Sequence, residues 1–219
     1  SWPSTILPYR MLNREVERRL GGHHSARIVL YSIDYHAIRS AYTSGWDAVP
    51  GLLKAEIGTL LGFGPACWMI ANNTLHKAYD RIEADLPADP PMFHAIRLVR
   101  DHLLANGIRR VLLLGTQFTM EDGYYARPLE QAGLVVDVPV LADRERVQAI
   151  QTRLATGETD PAFAACLADL CARHAAAGCE AVIAGCTELP LAERSCDRSC
   201  VHGPAGSPAI RRAGPSARS

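Results

Sequence analysis

The chain lacks any long apolar run: stretches such as 111–114 and 181–184 fall far short of the roughly 20 residues that cross a bilayer as a helix. It has no excess of charge of either sign, with 23 Lys+Arg against 23 Asp+Glu, which speaks against a strongly basic nucleic-acid binder. No basic, then apolar, then small-residue leader is present, and the opening Ser1-Trp2-Pro3 without methionine reads as a chain missing its natural start. There is no C-x-x-C pair either. The 7 cysteines are scattered, which argues against a disulfide scaffold or a zinc ribbon and for reduced thiols in the cytoplasm. What is there, 219 residues of which 48% are hydrophobic and 21% charged, is the composition of an ordinary globular protein with one sizeable core or two small lobes.

Short apolar runs alternate with helical patterns. Residues 4–20 carry Leu12, Val16 and Leu20 at helical spacing and stop at Gly21-Gly22. Buried strands are expected at 26–33 and 66–71, and helices at 47–61 and 73–83. The proline-rich stretch 86–91 reads as a linker, because proline removes a backbone donor and disfavours helix in the residue before it. Beyond it the pattern restarts: helix 94–105, strand 110–114, helix 121–132, strand 135–138, helices 143–154 and 160–177, strand 181–184. Alternating units with near-continuously apolar strands predict an α/β protein of two lobes, each with a parallel sheet and helices on both faces. The expected lobes are 1–90 and 91–194. Residues 195–219, rich in Ser, Gly, Pro and Arg without a period, read as a disordered tail.

Ligands of open parallel sheets bind where strands end and helices begin. Two such loops are alike: Asn72-Asn73-Thr74-Leu75-His76 and Gly185-Cys186-Thr187-Glu188-Leu189. Through them the chain resembles the aspartate/glutamate racemase superfamily, whose Asn-Thr-x-His is matched at Asn73–His76 and whose Gly-Cys-Thr-Glu-Leu is matched at Gly185–Leu189. Supporting stretches are Ser1 to Thr5, Arg18 to Gly22, Tyr31-Ser32-Ile33-Asp34 and Gly115 to Met120. The resemblance spans residues 1 to about 194, and the fold it implies is α/β, two similar doubly wound lobes with short parallel sheets and the active site in the cleft between them.

It implies proton transfer at the α-carbon of an acidic amino acid without pyridoxal phosphate, metal or other cofactor, by two acid/base residues, usually cysteines, facing each other across the substrate. Carried over, Cys186 is one of them, held as thiolate by the following helix N-terminus. Asn73, Thr74 and Thr187 hold the α-carboxylate, Thr119 contacts a carboxylate, and Glu188 organises the second loop. The partners implied are a small carboxylate or acidic amino acid and a second copy in a homodimer, with no nucleic acid and no membrane. His76 is a candidate at the substrate, Asp34 and His36 are cleft candidates, and Cys166, Cys171 and Cys179 read as structural.

The sequence departs from the family pattern where Asn72 stands at the position facing Cys186, elsewhere cysteine or, in some relatives, threonine. An amide does not exchange protons near neutral pH. Cys67 lies upstream, inside the expected second strand. The strand and glycine-rich loop that precede Ser1 in the family are absent, and the family's last strand and closing helix give way to the tail. Two further readings follow: a single-cysteine lyase or other isomerase acting on another carboxylate, and a non-catalytic carboxylate-binding relative.

Overall fold

The computed structural model describes residues 2–192 and 210–212. The first helix, α1 (Trp2–Leu20), ends where Gly21 and Gly22 turn left-handed, φ +72° and +58°, a conformation that glycine adopts without steric cost. α2 (His36–Ser44) follows, and just before it Asp34 Oδ1 accepts from the His36 amide at 3.1 Å. A 3₁₀ turn at Trp46–Ala48 leads into α3 (Val49–Leu61), and α4 (Leu75–Ile82) packs against α3. Ile38, Val49, Leu53, Ile57, Leu75 and Tyr79 form their common core.

The second part runs α5 (Ala95–Ala105), β1 (Arg110–Leu114), α6 (Gln117–Glu121), α7 (Ala126–Glu130), β2 (Val135–Asp137), α8 (Leu141–Ala155), α9 (Pro161–Ala176), β3 (Ala181–Ala184), α10 (Leu189–Ala192) and β4 (Ile210–Arg212). The sheet order is β2-β1-β3-β4; β1 pairs in parallel with β2 and β3, and β4 runs antiparallel to β3. Alternation along β1 sorts the core into two layers. Val111 and Leu113 pack with Ile96, Val99 and Leu103 of α5 on one face, whereas Leu112 and Leu114 pack with Val147, Phe163 and Leu167 of α8 and α9 on the other. Helices on both faces of a parallel sheet are the doubly wound α/β arrangement expected from the sequence.

Three local expectations are corrected. Residues 26–33 form no strand: Val29, Leu30 and Tyr31 are exposed, and among the described residues no neighbouring strand offers the ladder that an extended segment needs. The segment 66–71 is likewise no strand. It makes a single parallel bridge, Trp68 to Met92, in which Trp68 donates to Pro91 and accepts from Phe93, so Cys67 is exposed rather than enclosed in a sheet. The helix expected at 121–132 is two short helices, because Thr116 caps an earlier start and Gly123, at φ +85°, breaks the path. Of the segment 195–219, only Ile210–Arg212 falls within the described residues, and these form β4. α2 was missed because nine residues with Ile38, Ala41 and Tyr42 on one side carry too short a period to stand out.

Candidate active site

Parallel pairing sets Leu114 opposite Ala184, so the loops leaving β1 and β3 emerge side by side. They come close enough that the Gly185 amide donates to the Leu114 carbonyl at 2.6 Å. A Cβ on Gly185 would stand 2.8 Å from Leu113 Cδ1 and 3.1 Å from the Leu114 oxygen, so the residue before Cys186 has to be glycine for the loops to meet.

Cys186 is buried, and its Sγ–H donates to Glu188 Oε2 at 2.7 Å; the Thr187 hydroxyl donates to the same oxygen at 3.1 Å. Burial first, and then the negative charge of Glu188, push the thiol well above its ordinary range. The amides of Glu188 and Leu189 act in the opposite direction but do not prevail. The thiolate expected from sequence is therefore corrected to a thiol bonded to a buried carboxylate. The helix invoked to hold a thiolate, α10, has only four residues.

On the neighbouring loop, Thr116 Oγ1 caps α6 by accepting from the Thr119 amide at 3.1 Å. Thr119 Oγ1 lies 2.9 Å from Thr116 Oγ1 and 2.9 Å from the hydroxyl of Tyr124, and both Thr119 and Tyr124 are buried. Tyr124 connects the two parts of the chain: Thr74 of the Asn72–His76 loop and Cys186 both lie near enough to act on its hydroxyl electrostatically. Burial raises the Tyr124 hydroxyl, which therefore stays protonated and able to donate.

The third loop is braced from below. Asn72 Oδ1 accepts from the Leu75 amide at 3.1 Å, which starts α4, and the Asn73 carbonyl accepts from the His76 amide at 3.1 Å. His76 has no exposed surface. Its Nδ1 is 3.0 Å from the Asn72 carbonyl and its Nε2 accepts from the Ala95 amide at 3.1 Å, which assigns the ring proton to Nδ1. Burial, then the neighbouring His94, lowers its pKa to about 4. His76 thus ties the Asn72 loop to the start of α5 as a neutral ring. Asn73 is buried and Thr74 half-buried.

Aromatic rings close the junction. Tyr42 and Trp46 pack on Phe118, with centroids 6.3 Å and 5.3 Å apart, and the Lys77 ammonium sits 4.6 Å from the Trp46 ring and 4.9 Å from Phe118. Tyr35 meets Tyr42 hydroxyl to hydroxyl at 2.5 Å and lies within electrostatic reach of Glu188. Cys186, Thr187, Glu188 and Thr119 thus gather at the ends of β1 and β3, and Asn72 and Thr74 come to them from the first part of the chain. Tyr35, Tyr42, Phe118, Lys77 and Tyr124 were not anticipated from sequence. Only Tyr35, beside the matched Tyr31-Ser32-Ile33-Asp34 segment, and Tyr124, just past Gly115 to Met120, stood near a motif that could have drawn attention.

Asp34 and His36 are exposed, and Asp34 hydrogen-bonds the His36 amide at the start of α2. All five described cysteines are free. Asp137, His174 and Cys179 bring metal-capable atoms within 4.8 Å of one another on the strand β2, the helix α9 and the turn before β3. The Arg110 guanidinium occupies this cluster, donating to Asp137 at 2.8 Å, while the Cys179 thiol donates to the same carboxylate at 2.9 Å. The carboxylate is thereby neutralised without an ion.

Among the described residues no helix is long and apolar enough to cross a membrane. The family model for Asp/Glu/hydantoin racemase matches residues 1–210. A candidate Asp/Glu racemase from Yersinia pestis is 36% identical, with a TM-score of 0.76 over 88% of this chain and 84% of that one. An aspartate racemase homologue from Pyrococcus horikoshii is 30% identical, with a TM-score of 0.72 over 87% and 83%. The aspartate racemase of Picrophilus torridus, 20% identical with a TM-score of 0.68 over 88% and 80%, shares the fold. With its sulfur, carboxylate and two threonine-bearing loops converging at one sheet edge, this chain belongs to the Asp/Glu/hydantoin racemase family.

Proposed function

We propose that the protein is a cofactor-independent isomerase of the aspartate/glutamate racemase type, acting by proton transfer at the α-carbon of a small acidic amino acid. The observation that carries this reading is the buried Cys186–Glu188 hydrogen bond beside Thr119 and Tyr124, at the edge where Asn72 and Thr74 arrive. An α-proton is a very weak acid, so its removal needs both a positioned base and donors aimed at the negative charge that develops on the carboxylate. Glu188 is placed to take the thiol proton, which would leave the thiolate as the base. The hydroxyls of Thr74, Thr187 and Tyr124 are placed to receive the substrate carboxylate, and Asn73 shapes the loop that presents them. A substrate carboxylate entering beside Glu188 would raise the electrostatic cost of two anions and favour transfer of the thiol proton to Glu188. In solution we expect a homodimer.

The test is incubation of the purified protein with L-aspartate or L-glutamate in D₂O, read by NMR at the α-carbon. Deuterium incorporation that disappears in Cys186→Ala is the expected result; no incorporation with either amino acid would overturn the reading. Asn72, which carries no exchangeable acid proton, favours a second reading, a single-cysteine lyase. Decarboxylation of a substituted malonate in the absence of amino-acid exchange would select it.

A further inference from the structure

Cys179 precedes β3 and Cys186 follows it, so the two sulfurs stand at opposite ends of one strand. Two backbone features build the cluster around Cys179. At the end of α9, Gly178 turns left-handed at φ +98°, its amide donating to the Ala175 carbonyl and the Cys179 amide to the His174 carbonyl, both at 3.0 Å. The chain therefore folds back and sets Cys179 beside His174 in the last helical turn. Strand register supplies the third group. Asp137 pairs with Leu112, so both point to the face of the sheet that α8 and α9 cover, and Cys179 belongs to the same layer of the core. Sulfur, imidazole nitrogen and carboxylate oxygen thus come within 4.8 Å of one another.

We propose that Asp137, His174 and Cys179 form a binding site for a thiophilic divalent cation of the zinc class, with Arg110 as the resident counter-charge that the ion displaces. One thiol, one imidazole and one carboxylate are the donor types that zinc takes, whereas magnesium and calcium require oxygen throughout. Two ligands of one tetrahedral ion stand about 3.5 Å apart, so the three donors need to shift by only about 1 Å. An arginine–carboxylate pair needs neither a thiol nor an imidazole within reach, and both are here.

Binding is an exchange of cations at Asp137. The Arg110 guanidinium gives up its bonds to the carboxylate and turns into solvent, which its side chain, 43% exposed, already reaches. Burial first, and then Asp137, push the Cys179 thiol up to about 12, so the ion meets a protonated sulfur. The S–H bond breaks, its proton passes to water, and the sulfur–metal bond forms. Water fills the fourth position, and no electron is transferred.

The experiment titrates the full-length chain, stripped of metal with a chelator under reducing conditions, with Co²⁺ as a spectroscopic probe. A thiolate-to-cobalt charge-transfer band should grow to one ion per chain, and Zn²⁺ but not excess Mg²⁺ should remove it. Cys179→Ser should abolish the band, and His174→Gln should weaken binding at least tenfold. Arg110→Gln should tighten it about fivefold, the worth of a partly exposed ion pair. Because one thiol proton is released, affinity should rise about tenfold per pH unit above pH 7. No band in the wild type at millimolar Co²⁺, a band of equal strength in Cys179→Ser, or displacement by Mg²⁺ overturns the proposal. If circular dichroism shows Cys179→Ser unfolded, His174→Gln and Arg110→Gln decide, and wild-type affinity in both overturns it. None of these readings depends on turnover at Cys186.

Discussion

The Lys77 ammonium on α4 lies 2.7 Å from the Asp122 carboxylate just beyond α6, joining the helical first part of the chain to the sheet-bearing second part. Both side chains are largely covered, with exposures of 22% and 25%, and the ammonium also rests against the rings of Trp46 and Phe118.

A double-mutant cycle with Lys77→Met and Asp122→Asn should therefore give a coupling energy of about 1 kcal/mol, at the upper end for exposed pairs. Urea denaturation of the four proteins measures it. Part of the Lys77→Met cost should persist in the Asp122→Asn background, because the cation–π contacts are lost there too. Strictly additive single-mutant effects would show that the pair does not hold the junction.

His76 makes stability depend on pH in a defined window. Its folded pKa is lowered to about 4, below the ordinary histidine value of 6.5, so the unfolded chain takes up a proton first as pH falls. This contribution is fully present above pH 6.5 and is lost progressively as pH falls toward about 4. Between pH 7 and pH 5 the loss should reach about 2 kcal/mol. Carboxylates bonded to arginine, such as Glu83 with Arg97, titrate below this interval and leave it to histidine. His76→Gln should be less stable at pH 7 yet nearly flat across the interval; a slope equal to that of wild type would place the effect elsewhere.

Gly185→Ala tests the close approach of the two loops. The added methyl would meet Leu113 Cδ1 at 2.8 Å, the Leu114 carbonyl at 3.1 Å and Thr119 Cγ2 at 3.1 Å. One of these neighbours is backbone within a central strand and cannot yield cheaply. We expect a loss of about 1–3 kcal/mol in stability. Because Cys186 is the next residue, turnover should fall about a hundredfold even at temperatures where the variant is fully folded. Wild-type turnover in a folded Gly185→Ala protein would show that the sulfur tolerates displacement.

The sequence by itself determined the elements whose signal is local. Val111–Leu114 and Ala181–Ala184 are apolar on both faces and could only become buried parallel strands; Asp160-Pro161 starts α9, with Asp160 accepting from the Ala162 amide at 2.8 Å. It also singled out Gly185–Leu189 and Asn72–His76 as candidate loops; the first follows β3 as expected, whereas the second follows no strand, because 66–71 makes a single bridge. Tertiary structure decided what depends on a partner. A run such as 26–33 becomes a strand only beside another, and among the described residues it has none. The state of Cys186 was also beyond the sequence, because its proton is governed by burial and by the Glu188 carboxylate at 2.7 Å rather than by the helix that follows. The same holds for Tyr35 and Tyr42: hydrogen bonding at 2.5 Å between side chains seven positions apart is set by how α2 packs on the junction, and no periodicity records it.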